Sequence, residues 1–255
     1  MKLSKTTLNI IILIFAALIS YFFGSKEKEK SITPATQTQT TVQTQPTTQT
    51  TTSSPKTTVI TSSAKETDYD AVMAEDNIGQ NATAPVHYYM LALSWSPSFC
   101  ETQKQKNGGY VPQRLSYQCA GNQNFGWVIH GLWPQNKNAR SVNEQPRYCQ
   151  GDLAPLSPQL LEKYLPESPG MTLLQGQWEK HGACAFNNAE EYFAKQKALF
   201  QSLTLPNTDM RKNELFRWMR KNNPQLDRVY LGASKNELYI CYDKSWQPMD
   251  CPQSH

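Results

Sequence analysis

Six cysteines set the strongest limit on how this chain can fold. Cys100, Cys119, Cys149, Cys184, Cys241 and Cys251 form an even set, all beyond the first third of the 255-residue sequence. None belongs to a CxxC pair, so the spacing gives no support to a zinc-finger type of site. Whether they stay thiols or pair depends on compartment, and the N-terminus bears on that. Lys2 and Lys5 precede an apolar run from Leu8 to Phe23, and Lys26, Lys28 and Lys30 follow it. A short basic start with an apolar centre reads as an export signal over residues 1–25. Tyr21, Phe22 and Phe23 stand where a small-residue cleavage site would be expected, so the segment reads equally as a cleaved peptide or a retained anchor. As a membrane span the run is short, since spanning takes roughly 17–25 apolar residues. In the oxidising compartment that export implies, an even set of cysteines favours disulfides. Six cysteines leave many pairings open, and sequence alone does not choose among them.

Residues 31–55 carry no charge and consist almost wholly of Thr, Gln, Ser and Pro. Such a stretch buries too little apolar surface to offset the entropy of ordering it. Residues 26–84 therefore read as a disordered linker, a stalk if the apolar segment is retained, and residues 85–255 as the folded domain. Within that domain His87 to Trp95 reads as a buried strand stopped by Ser96-Pro97, and Phe125 to Ile129 as a second short strand. Ser157 to Leu165 reads as a helix with Pro158 in its first turn. Asn188 to Leu203 is the clearest helix, with Asn188 as cap, Glu191 three residues on, and apolar residues at helical spacing. A further helix is expected over Asp209 to Lys221, ending before Asn223-Pro224, with strands at Arg228 to Leu231 and Glu237 to Tyr242. Interspersed strands and helices with long irregular stretches give an α+β class.

A net charge of +4 and a pI near 8.6 are compatible with a polyanionic substrate but do not amount to a strong basic footprint. The four histidines carry more information. His255 is terminal, and His87 begins a strand with no charged residue close in sequence. The other two lie in Phe125-Gly-Trp-Val-Ile-His130-Gly-Leu-Trp-Pro134 and Gln177-Trp-Glu-Lys-His181-Gly-Ala-Cys184. Each is followed by glycine and flanked by tryptophan, and Lys180 precedes the second. Two imidazoles titrating near neutrality can divide proton removal from proton delivery. A lysine beside them supplies fixed positive charge to a phosphate gaining negative charge. Tryptophan faces offer stacking surfaces for bases. These are the parts needed to cleave RNA through attack by its own 2′-hydroxyl. No acidic or histidine cluster has ligand spacing, so neither a metal nor another cofactor is expected.

These segments resemble the two signature motifs of the ribonuclease T2 family. His130-Gly-Leu-Trp-Pro134 matches the first, and Trp178-Glu-Lys-His-Gly-Ala-Cys184 is similar to the core of the second. Leu91 to Cys100 resembles the family's opening strand and loop, and Ile240 to Asp243 with Asp250 to Pro252 its closing elements. The resemblance implies an α+β fold around a central antiparallel sheet, held by disulfides. It implies a monomeric, metal-independent, exported endoribonuclease of the bacterial type, periplasmic or secreted, that acts on single-stranded RNA through a 2′,3′-cyclic phosphate. Carried over position by position, His181 deprotonates the 2′-hydroxyl, His130 protonates the departing 5′-oxygen and Lys180 stabilises the phosphorane. Trp133 helps hold a base with Gln135 beside it, and Trp178 packs the catalytic helix. The implied bridges are Cys100–Cys119, Cys149–Cys184 and Cys241–Cys251.

One departure stands out. The family's second motif usually begins His-Glu-Trp, where this chain has Gly176-Gln177-Trp178. Gly176 cannot bind phosphate. Gln177 can hydrogen-bond to a phosphate oxygen or a histidine but cannot accept a proton near neutral pH. A slower reaction and a lower His181 pKa are the expected consequences, unless glutamine serves simply as an orienting partner. A competing function follows from the same departure, namely a protein of this fold that binds RNA or a surface partner with little turnover. A metal-dependent hydrolase is a more distant alternative.

Overall fold

The computed structural model of the chain describes residues 69–252. The apolar run at 8–23, most of the polar linker and His255 lie outside the described residues. Strand β1 (Tyr88–Trp95) is the centre of an antiparallel sheet. On one side it pairs with β2 (Trp127–Gln135), on the other with β4 (Glu237–Tyr242). Two short strands, β3 (Gly232–Ala233) and β5 (Pro248–Met249), pair with β4. The expected α+β class with a central antiparallel sheet is what the chain adopts.

Side chains of β1, β2 and β4 alternate between two faces, as the pleat requires. Leu91, Leu93, Ile129, Leu132, Leu238 and Ile240 are fully buried in the core. They join residues from three helices: α4 (Met171–Lys180), α5 (Ala189–Gln201) and α6 (Lys212–Asn222). Leu174 and Trp178 come from α4, Tyr192 and Phe193 from α5, and Leu215, Phe216 and Met219 from α6. Each such apolar side chain contributes roughly 1.5–3 kcal/mol on burial. Helix α5 is capped as its sequence predicts: the Asn188 side chain accepts from the Glu191 backbone N–H at 2.9 Å. Its Tyr192 hydroxyl accepts from Leu132 N at 3.1 Å, tying α5 to β2.

Several expectations need correction. Ser96-Pro97 ends β1, but the pair also opens helix α1 (Ser96–Lys106), because proline suits the first turn of a helix. After it come the short helices α2 (Ser116–Cys119) and α3 (Pro158–Glu162), the latter ending before Leu165. The second strand continues from Trp127 through the whole His-Gly-Leu-Trp-Pro motif. Residues 228–231 are not a strand. Their backbone is held in part by side chains, with Arg220 Nε donating to Val229 O at 3.0 Å and Tyr230 N donating to Asp250 Oδ1 at 2.7 Å. Residues 69–84, expected to be loose, are seated on the domain. Tyr69 is buried in the core with its hydroxyl donating to Leu156 O at 2.5 Å, and Asn81 forms a bridge with Arg147. The three bridges that the resemblance implies are the three present: Cys100–Cys119, Cys149–Cys184 and Cys241–Cys251.

Candidate active site

The site begins with an irregularity in β2. Ala92 pairs with Gly131 and Leu93 with Ile129, so His130 is an extra residue with no partner on β1. Such a bulge re-aims a side chain out of strict alternation, a device common beside active sites. It leaves the His130 ring half-exposed, 5.1 Å from the Trp133 ring and at a steep angle to it. His130 Nδ1 lies 2.5 Å from Glu237 Oε1 at the start of β4. The other Glu237 oxygen accepts from the Tyr239 hydroxyl at 2.6 Å. Burial alone would raise the Glu237 carboxyl, but bonds from His130, Tyr239 and Ser234 outweigh it and hold the group below the usual carboxylate range. The carboxylate is therefore an acceptor, so Nδ1 carries the hydrogen and Nε2 is left for a substrate. Burial and the Glu237 bond push the Tyr239 hydroxyl up to about 12, so it remains a donor.

His181 arrives from the other direction, as the residue that closes α4. Its ring is buried, 5.6 Å from the same Trp133 indole, so one tryptophan lies against both imidazoles. The indole is fixed in turn, with Trp133 Nε1 donating to Gln177 Oε1 at 2.7 Å. This contact explains Gly131. A Cβ there would collide with Gln177 Oε1 and lie 2.6 Å from Trp133 Nε1, so glycine leaves the room in which these two side chains meet.

The environment of His181 is cationic. Burial, then the charges of Arg147, Lys180 and His130, hold its imidazole well below the usual histidine range, while Asp76 pulls the other way. Its Nδ1 is buried without a hydrogen-bond partner among the described residues. Lys180 Nζ sits 2.6 Å from Asp76 Oδ2, and Arg147 Nη2 sits 2.7 Å from Asp76 Oδ1. Tyr148, between Arg147 and the bridged Cys149, adopts a φ of 46° that non-glycine residues rarely take. Its backbone N donates to Lys180 O at 3.0 Å. The strained turn, the Cys149–Cys184 bridge and the end of α4 thus form one unit. Glu179, although between Trp178 and Lys180, turns away and accepts from Leu153 N at 3.1 Å.

Of the residues singled out in the sequence, the structure brings together His130, His181, Trp133 and Gln177, with Lys180 beside His181. Gln177 engages the tryptophan rather than a histidine. Gln135 is apart, buried at the far end of β2 opposite Tyr88, with its amide donating to Pro134 O at 3.1 Å. Trp178 is buried against Tyr192, as packing requires. The His87 ring accepts from Lys137 N at 3.3 Å, away from the two clustered imidazoles. Sequence reasoning passed over Glu237, Asp76 and Arg147. Glu237 opens a recognisable strand, but only the pairing of β4 with β1 shows that it reaches His130. Among the described residues no group of three or more His, Cys, Asp or Glu side chains could hold a metal ion.

The model of the ribonuclease T2 family matches residues 86–231. The chain belongs to the ribonuclease T2 family. A probable ribonuclease of Haemophilus influenzae is 51% identical over 269 residues, covering 98% of this chain and 99% of its own length. A ribonuclease of Aeromonas hydrophila is 30% identical over 115 residues, 45% of this chain and 43% of that protein. Among solved structures, an RNase-related protein from Calystegia sepium aligns over 67% of this chain and 92% of its own, with 20% identity and a TM-score of 0.49. The resemblance read from residues 130–134 and 178–184 is borne out at the level of family, and with it an enzyme of the ribonuclease T2 type.

Proposed function

We propose that this ribonuclease T2 family member cleaves single-stranded RNA by transphosphorylation, with His181 as general base and His130 as general acid. His181 takes the proton of a ribose 2′-hydroxyl. The freed oxygen bonds to the adjacent phosphorus and gives a pentacoordinate phosphorane. The bond from phosphorus to the 5′-oxygen then breaks, His130 gives its Nε2 proton to that oxygen, and a 2′,3′-cyclic phosphate remains. Lys180 supplies positive charge to the phosphorane. Trp133, half-buried between the imidazoles, spaces them and offers a platform for a base.

The observation that carries this reading is the contrast between the two rings on one indole. One is buried among cations and neutral near pH 7, ready to accept a proton. The other has Nδ1–H tied to a carboxylate, so in its doubly protonated form the proton it gives up is the one on Nε2. Two like groups placed in unlike environments are how acid and base roles are divided. The disulfides fit export to an oxidising compartment, with residues 1–25 as a signal or tether. Among the described residues no helix is long and apolar enough to cross a membrane.

The test is incubation of purified protein with single-stranded RNA in EDTA, wild type beside His181→Ala. Products ending in cyclic phosphate from wild type alone are expected. The acid limb of kcat/KM, which reports the free base, is expected below pH 6.5, the ordinary histidine value. RNA bound but intact favours the binding protein, and complete inhibition by EDTA favours a metal-dependent hydrolase.

A further inference from the structure

Residues 69–85 lie ahead of the family match at 86–231; Tyr69 anchors their start in the core, and polar contacts hold the rest. These residues form a strap along the turn at 147–156. Met73 N donates to Asp152 Oδ1 at 2.9 Å, Gln80 Nε2 to Tyr148 O at 2.8 Å, and Asn81 exchanges backbone bonds with Arg147 at 3.0 and 3.1 Å. Two strap residues reach further. The Ala71 methyl is 3.5 Å from where a Cβ on Gly176 of α4 would stand, so a long side chain at 176 would meet the strap. Asp76 inserts between Lys180 and Arg147, one carboxylate oxygen on each. Its own position is fixed by the backbone amides of Ile78 and Gly79, which donate to Oδ1 at 3.0 and 3.1 Å.

Two cations beside one histidine repel each other, and a lysine ammonium on a four-carbon stem has many rotamers. A single carboxylate bonded to both removes that freedom and still leaves the group net positive toward a phosphate. Arg147 and Asp76 are almost closed to solvent, with side-chain exposures of 5% and 11%, while Lys180 is open to 27%. The lysine is thus the member that a substrate can reach.

We propose that Asp76 is a positioning residue of the active site, holding Lys180 and Arg147 as a paired cationic wall beside His181, and that the strap is part of the catalytic centre. The proposal rests on the roles given above to His181 and Lys180. The charged groups facing His181 are Arg147, Lys180, His130 and Asp76, and Asp76 alone opposes the other three. Removing it therefore has a signature that loss of packing lacks: His181 becomes a weaker base.

The experiment uses the full chain and compares wild type, Asp76→Asn, Asp76→Glu and Gly176→Leu. The last lifts the strap through Ala71 without touching Asp76, and leucine favours the helix more than glycine does. Thermal melts establish folding, and kcat and kcat/KM on single-stranded RNA are followed across pH. Asp76→Asn is expected to lower kcat about 10²-fold, the scale of one lost positioning charge, and to move the acid limb to lower pH. Gly176→Leu is expected to move that limb the same way, and Asp76→Glu to recover part of both effects. Folded Asp76→Asn with an unchanged acid limb and kcat overturns the proposal. So does a faster Asp76→Asn with stronger inhibition by inorganic phosphate, which would make the carboxylate a competitor of substrate. Wild type that leaves RNA intact overturns the proposed function as well. Wild type that cleaves beside an indistinguishable Asp76→Asn overturns this inference alone.

Discussion

At position 177 the side-chain oxygen accepts from the Trp133 indole at 2.7 Å, and the nearest part of β2 is a glycine that leaves room for it. A glutamate there could accept the same hydrogen bond while adding an anion close to His181. Gln177→Glu is therefore expected to raise the His181 pKa and shift the acid limb of kcat/KM to higher pH, with a gain in kcat of about 10-fold, below the range of a full catalytic charge. An unmoved pH profile would show that position 177 serves only to orient the tryptophan. Glu237 acts from the other side. Glu237→Gln keeps the shape but lets an amide donate to His130 Nδ1, which displaces the proton that the carboxylate fixes there. A fall in kcat of about 10²-fold is expected, within the range that general acid–base catalysis supplies, with little change in KM. Equal kcat values for wild type and variant would remove Glu237 from the mechanism. His130, His181 and Lys180 were legible because each sits inside a contiguous motif. Glu237 is 107 residues from its histidine, and Asp76 lies in a segment whose polar composition suggested disorder, so neither announces itself locally.

Elements show a similar division. Helix α5 was legible because cap, first-turn glutamates and apolar spacing all agree within one short window. Helix α1 was not, since Ser96-Pro97 is as good a strand stop as a helix start, and few of its residues are buried to give a periodic signal. The bulge at His130 could not be read at all, because it exists only in the register between β1 and β2. Disulfides connect these elements unequally to the site. Cys149–Cys184 ties the turn bearing Arg147 and Tyr148 to the end of α4, whereas Cys100–Cys119 ties α1 to α2. Replacing either pair by alanine is expected to cost roughly 2–4 kcal/mol of stability. Only the Cys149→Ala/Cys184→Ala protein is expected to lose kcat as well, by about 10-fold or more, because a displacement near 1 Å at a catalytic group is enough for such losses. Denaturant melts and initial rates on the two double variants, at a temperature where both are folded, decide this. Equal activity in the two would mean that α4 holds His181 without its bridge.

For the molecule as a whole, the charges that tune the site also make stability depend on pH. The folded His181 ring is held well below its ordinary value of 6.5, so on acidification the unfolded chain takes up this proton first. Where the unfolded state binds more protons, stability rises with pH and is lost on acidification. The contribution of His181 is complete above about pH 6.5 and is lost as pH drops from there toward the folded value. Asp76 works in the same sense at lower pH. Burial would raise its carboxyl, but bonds from Lys180, the Ile78 amide, Arg147 and the Gly79 amide hold it far below its ordinary 3.8. Its contribution is present above that value and disappears beneath it as the group protonates. Urea denaturation between about pH 8 and pH 3 is therefore expected to show two successive declines. His181→Gln should remove the decline that begins near neutrality and keep the acidic one, while Asp76→Asn should blunt the acidic one. A His181→Gln protein whose stability still falls between about pH 6.5 and pH 5 as steeply as wild type would show that the ring is not held neutral by the fold. The contrast between a neutral base and a tethered acid would then lose its physical basis.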